Sequence, residues 1–132
     1  SKLINYQDEY GSGAKRFSMG QQSNFINVEM LSSGLDQIKR WGVENIYNYI
    51  TKITKPCFEI LDKSKVWYEE DKYRASHLFG LKPKKNLKKI LQKIANEKIY
   101  VSLRGESIRV SPSVYNKRED VERLFKCISE NV

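Results

Sequence analysis

Between Asn24 and Trp41, the apolar positions Val28, Leu31, Leu35 and Ile38 recur at helical spacing, and Gly42 supplies a stop. A second helical run from Glu44 to Leu61 carries Ile46, Tyr49, Ile50, Ile53, Ile60 and Leu61. Pro56 falls inside it and predicts a kink or restart, because proline lacks the N–H and collides with the preceding turn. A short strand is expected at Val66 to Tyr68, and a second over Ser76 to Leu81, ended by Lys82-Pro83. Leu87, Ile90, Leu91 and Ile94 then mark one face of a helix over Asn86 to Asn96, with lysines opposite. Two strands follow, Ile99 to Arg104 and Ser107 to Ser111. The closing helix has Val121, Leu124, Phe125 and Ile128 on one face, and Asn116 with Glu119 offers a capping box at its start. The order α-α-β-β-α-β-β-α implies an α+β fold, a small mainly antiparallel sheet covered by helices. Residues 1–22 show little periodicity and read as an irregular arm, leaving residues 23–132 as the domain.

The pair of strands around Gly105-Glu106 holds the candidate chemistry. A two-residue turn with glycine first favours the type II′ geometry. Arg104 then pairs with Ser107, Leu103 with Ile108, Ser102 with Arg109 and Val101 with Val110. This register sends the apolar side chains to one face and the polar ones to the other. Arg104 and Arg109 become diagonal neighbours, about 7–8 Å apart at the backbone. Two guanidinium groups on one face repel unless an anion lies between them, and the arginine fork suits carboxylate or phosphate. From the residues alone two readings stay open: an anion site, or arginines that are solvated or paired with Glu106 and a helix carboxylate.

Composition narrows the partners. The 132 residues carry 24 Lys+Arg against 16 Asp+Glu, a formal charge of +8, so anionic partners must be weighed. Lys82, Lys84, Lys85, Lys88, Lys89 and Lys93 concentrate the excess, but no aromatic is interleaved among them. A solvated helix face explains that block better than a nucleic-acid surface, which would also offer stacking side chains. Cys57 and Cys127 stand apart, without a ligand-spaced partner, and are expected to be buried thiols rather than a disulfide or metal site. His77 is expected to be a packed or hydrogen-bonded structural residue rather than a catalyst, and Trp41 part of the core rather than a cofactor-stacking ring. Trp67, Tyr68 and Tyr73 lie in a charged loop and could face a partner domain, while Glu69, Glu70 and Asp71 read as solvated. No run of about eighteen apolar residues occurs, so no membrane-spanning helix is expected. Ser1 to Asn5 shows neither an initiator Met nor a secretory segment, which reads as a processed product or, preferably, a piece of something longer, while the thin cysteine usage fits a reducing, cytoplasmic setting.

Several stretches resemble one family in the order they occur. Val101-Ser102-Leu103-Arg104-Gly105, Ile108-Arg109-Val110-Ser111-Pro112, Tyr115-Asn116 and Glu119-Asp120-Val121 resemble the C-terminal signature of class V aminotransferase-like enzymes. That group includes kynureninases, cysteine desulfurases and isopenicillin epimerase-like proteins. Ala14-Lys15-Arg16-Phe17 with Gly20 and Ser23-Asn24-Phe25, Trp41-Gly42-Val43-Glu44-Asn45-Ile46, and Arg74-Ala75-Ser76-His77 resemble further parts of the same small domain. The resemblance implies a homodimeric fold-type-I enzyme using pyridoxal 5′-phosphate, with a large cofactor domain upstream. Arg109 matches the arginine that binds the substrate α-carboxylate, and Arg104 a second active-site arginine. Gln21 stands where some relatives place a Thr that reaches the cofactor phosphate, and Gln21 or Ser23 could take that part. The Schiff-base lysine and its surrounding motifs are absent, so no catalytic residue is assigned, and the chain alone is expected to be inactive with no cofactor bound. The loop between the arginines lacks the desulfurase cysteine segment, which leaves transamination, kynureninase-like hydrolysis and epimerisation. Two other expectations are kept: a basic module that binds nucleic acid or another anion, and a non-catalytic paralogue.

Overall fold

A computed structural model describes residues 11–17 and 24–132 of the chain. It divides into residues 1–40 and residues 41–132. In the first part, a 3₁₀ turn covers Gly13–Phe17 and α1 runs over Phe25–Trp41. The expected stripe is present on α1, and no residue of this helix is buried. Trp41 itself is 45% exposed, so it is not the core residue its apolar bulk suggested.

Within residues 41–132 the fold is α+β, with the elements in the expected order. Gly42 ends α1 at a φ of 81°, a left-handed value that suits glycine, and α2 follows at once over Val43–Thr54. Pro56 does not bend a continuous helix. It falls in the first turn of a 3₁₀ helix, Lys55–Ile60, where its missing N–H costs nothing. Strand β1 is Val66–Trp67 and β2 is Phe79–Pro83. Then come α3 (Leu87–Asn96), β3 (Ser102–Arg104), β4 (Ser107–Val110) and α4 (Arg118–Ser129).

Two boundaries differ from expectation for local reasons. β2 starts at Phe79 because Ala75 and Leu78 bridge one another across a tight turn. It continues through Lys82 and Pro83, since Pro83 pairs with Val66 at the strand's end and leaves the ladder intact. Asn116 does not cap α4. Its Oδ1 accepts from the Ser113 N–H at 2.9 Å, closing a turn, and Asp120 instead accepts from the Lys117 N–H at 2.9 Å.

The sheet is antiparallel with strand order β1-β2-β4-β3. Its inner face presents Val66, Phe79, Leu81, Ile108 and Val110 to α3, α4 and the 3₁₀ helix, all within one buried cluster. Phe58 lies at the centre, 5.0–5.1 Å from the rings of Tyr68, Phe79 and Phe125. Edge-on aromatic packing of this kind adds to what area burial alone supplies. Cys57 and Cys127 are buried thiols, as their isolation suggested. Burial pushes the Cys57 thiol up to about 11, so it stays protonated and inert. The lysines of α3 and its lead-in, Lys84 to Lys93, are exposed.

Candidate functional site

The outer face of the sheet is built by alternation. Gly80 and Lys82 in β2, Ser107 and Arg109 in β4, and Ser102 and Arg104 in β3 all point away from the aromatic cluster. The register is the expected one: Ser102 opposite Arg109, Leu103 opposite Ile108 and Arg104 opposite Ser107. Gly105 has a φ of 56°, and Glu106 is not among the positive-φ residues, as a glycine-first II′ turn requires. Arg104 and Arg109 therefore share one face as diagonal neighbours. Leu103 shares the inner face with Ile108 yet is 42% exposed, because β3 is an edge strand that overhangs the core.

One pairing left open for the hairpin is not made. Glu106 does not pair with either arginine. It binds Lys82, with Nζ 2.7 Å from Oε2, and that hydrogen bond holds its carboxyl below the ordinary range. Among the described residues, neither Arg104 nor Arg109 takes part in an ion pair. Arg104 is exposed, while Arg109 is half-buried between β2 and β3. Arg109 Nε is buried and has no hydrogen-bond partner, the single such side-chain nitrogen or oxygen among the described residues. A buried polar group left unpaired costs about 1–3 kcal/mol, and more when charged. An anionic ligand on this face would remove that cost. The arrangement is thus a half-sunk fork with a second, exposed cation beside it, suited to a carboxylate or phosphate.

Other side chains singled out by sequence fall elsewhere. Gln21 and Ser23 lie outside the described residues. His77 is exposed rather than packed. Trp67 and Tyr73 are 52% and 71% exposed, whereas Tyr68 packs against the core. The acidic run is not simply solvated, for Asp71 binds Lys55 at 2.8 Å and Arg74 at 2.9 Å. Trp41 lines an apolar hollow of about 400 Å³ with Ile46, Tyr49 and Val114. The Tyr49 hydroxyl there donates to the Asn116 carbonyl at 2.8 Å. No group of three or more His, Cys, Asp or Glu side chains among the described residues could hold a metal.

Sequence reasoning missed the neighbours of the fork: Gly80, directly across from Arg109, and the Lys82–Glu106 pair. A glycine inside a predicted strand was the available signal, since such glycines often mark close approach by another group. It also missed that Arg74 is sunk into the fold. Its side chain is 8% exposed, and its guanidinium carbon lies 3.5 Å from the Phe58 ring centroid.

Comparison with known proteins adds one result. The chain is similar to an uncharacterized aminotransferase of Schizosaccharomyces pombe, with 29% identity over 138 aligned positions. The alignment takes in 98% of this chain and 33% of the yeast protein, so the chain spans about a third of that relative's length. No protein-family profile matches, and no solved structure matches either. The chain thus resembles part of an aminotransferase. Among the described residues, no helix is long and apolar enough to cross a membrane.

Proposed function

We propose that this chain is the C-terminal small domain of a class V aminotransferase-like enzyme, with Arg109 binding the α-carboxylate of an amino-acid substrate and Arg104 assisting. The observation that carries the reading is the buried, unpartnered Nε of Arg109 on the same sheet face as Arg104. A carboxylate docked on that fork completes the hydrogen bonding the chain leaves open. It would also fix the orientation of the bonds at Cα, and positioning of this kind supplies several kcal/mol to a reaction barrier.

Pyridoxal 5′-phosphate acts as the electron sink for bonds broken at Cα when it is bound. Its covalent attachment needs a lysine with a depressed pKa in a sequestered setting. Every lysine whose side chain is described here is exposed, so these residues do not fit that end of the cofactor. They fit the substrate end. The reading therefore places the lysine and the ring contacts in an upstream large domain joined through residues 1–22. It includes a homodimer in the cytoplasm, with any phosphate contact from Gln21 or Ser23 made outside the described part.

The coding sequence upstream of Ser1 tests the first half of the proposal, since a lysine-bearing cofactor domain in frame is expected there. In that enzyme, Arg109→Lys keeps the charge and loses the planar fork, so KM for the amino acid should rise by about tenfold or more. An unchanged KM in that variant would remove the assignment.

A further inference from the structure

We infer that Gly80 is a specificity-determining residue, and that the space above it receives the flat or apolar body of the ligand whose carboxylate Arg109 holds. The inference rests on the reading of Arg109 as a carboxylate ligand and extends it to the class of molecule bound.

Gly80 sits within β2, paired there with Arg109 of β4, while β1 joins the same strand only at Lys82 and Pro83. Glycine weakens a strand interior, because it surrenders the most backbone freedom and offers no side chain to pack. Two internal reasons could justify it, and neither applies. Its backbone is not in the positive-φ region, unlike Gly13, Gly42 and Gly105. A Cβ added there would meet only Ser107, at 3.7 Å from Cβ and 3.8 Å from Oγ, which is ordinary contact. Nothing within the described chain forbids a side chain here, and the glycine leaves the sheet face beside Arg109 open to a ligand.

The surroundings of the notch say what that is. Arg109 lies straight across from Gly80 on β4, with its Nε buried and unpaired. Lys82 follows two positions along the same face, its charge already met by Glu106. Trp67, the cross-strand partner of Lys82, and Leu78, two residues before Gly80, remain 52% and 47% exposed. This region therefore carries one group that asks for an anionic oxygen and two side chains with uncovered apolar surface. A carboxylate carrying a planar or apolar group matches all three, whereas a small or strongly charged body leaves Trp67 and Leu78 in water.

The test uses the 132-residue chain, titrated with acetate and with phenylacetate while backbone amide, Trp67 indole and Arg109 side-chain NMR signals are followed. Phenylacetate should bind at least about fivefold more tightly than acetate. Gly80→Val should collapse that preference to near one. The same substitution should raise the thermal midpoint by about 2–5 °C, since it replaces glycine in a strand. Arg109→Gln should weaken both probes by about tenfold. Equal affinity of the two probes for the unaltered chain overturns the role of Gly80. So does a Gly80→Val variant that keeps the preference, or one whose midpoint falls, because the glycine would then be structural. Loss of binding in Arg109→Gln alongside any of these leaves the carboxylate reading standing. Unchanged binding in Arg109→Gln, or no binding of either probe at tens of millimolar, removes both.

Discussion

Two arginines in this domain are drawn partly or wholly out of water, and their surroundings differ in kind. Arg74 follows a short 3₁₀ turn, Asp71–Tyr73, and reaches Phe58 in the 3₁₀ helix Lys55–Ile60. Its Nη1 donates to the Glu69 carbonyl at 2.6 Å, its Nη2 to Asp71 at 2.9 Å, and its plane covers the Phe58 ring. Arg109 sits in the middle of an antiparallel sheet with serine and glycine as cross-strand neighbours and no acceptor for its Nε. The first is a cation completed by its own chain. The second has an Nε that its own chain leaves without an acceptor. Low exposure is common to both, and what differs is the number of partners the chain itself supplies.

That contrast can be broken by substitution. Arg74→Ala removes a cation–π contact, two hydrogen bonds and the packing of a long stem, and should lower stability by about 2–4 kcal/mol in urea unfolding. Gly105→Val forces a branched residue to a positive φ, which should cost about 1–2 kcal/mol and loosen the hairpin that aligns the two forks. Arg109→Leu should leave stability within about 1 kcal/mol or raise it, because an unsatisfied buried donor disappears with the side chain. A loss like that of Arg74→Ala would mean Arg109 is structural after all.

The acid limb offers the mildest check. The Lys55 hydrogen bond, with Arg74 nearby, holds the Asp71 carboxyl below its ordinary value. A carboxyl depressed in the folded state stabilises at neutral pH and loses that contribution as pH falls through its folded value. Below about pH 4 the Arg74 corner should therefore loosen, as should the Lys82–Glu106 link at the hairpin turn, while the β4 amides around Arg109, which has no carboxylate partner, keep their protection. Hydrogen exchange resolved by residue would show the order, and simultaneous loosening of both regions would contradict it.

The sequence-level reading reached the fold because the informative positions were local. The stripe Leu87, Ile90, Leu91, Ile94 and the alternation around Gly105 each specify an element within a dozen residues. The hairpin register followed from the turn and the apolar pattern together, which is why Arg104 and Arg109 could be placed on one face. What stayed hidden depends on contacts distant in sequence. Gly80 meets Arg109 through a ladder spanning 29 positions. The Phe58 ring that receives Arg74 belongs to another element. Asn116 looked like a helix cap because its chemistry suits one, and only the competing turn at Ser113 takes it away. His77 and Trp41 were misjudged for a related reason: size and type do not reveal how much of a side chain its neighbours leave uncovered.

The overhanging edge strand β3 carries one more consequence. A free strand margin invites another molecule to add on by backbone pairing, the first step towards fibrils. Here the margin is only three residues long, and the exposed Leu103 is followed directly by the charged Arg104. The guanidinium proposed to steady a ligand thus also discourages self-association, so replacing it with an apolar residue should produce aggregates even where folding is untouched.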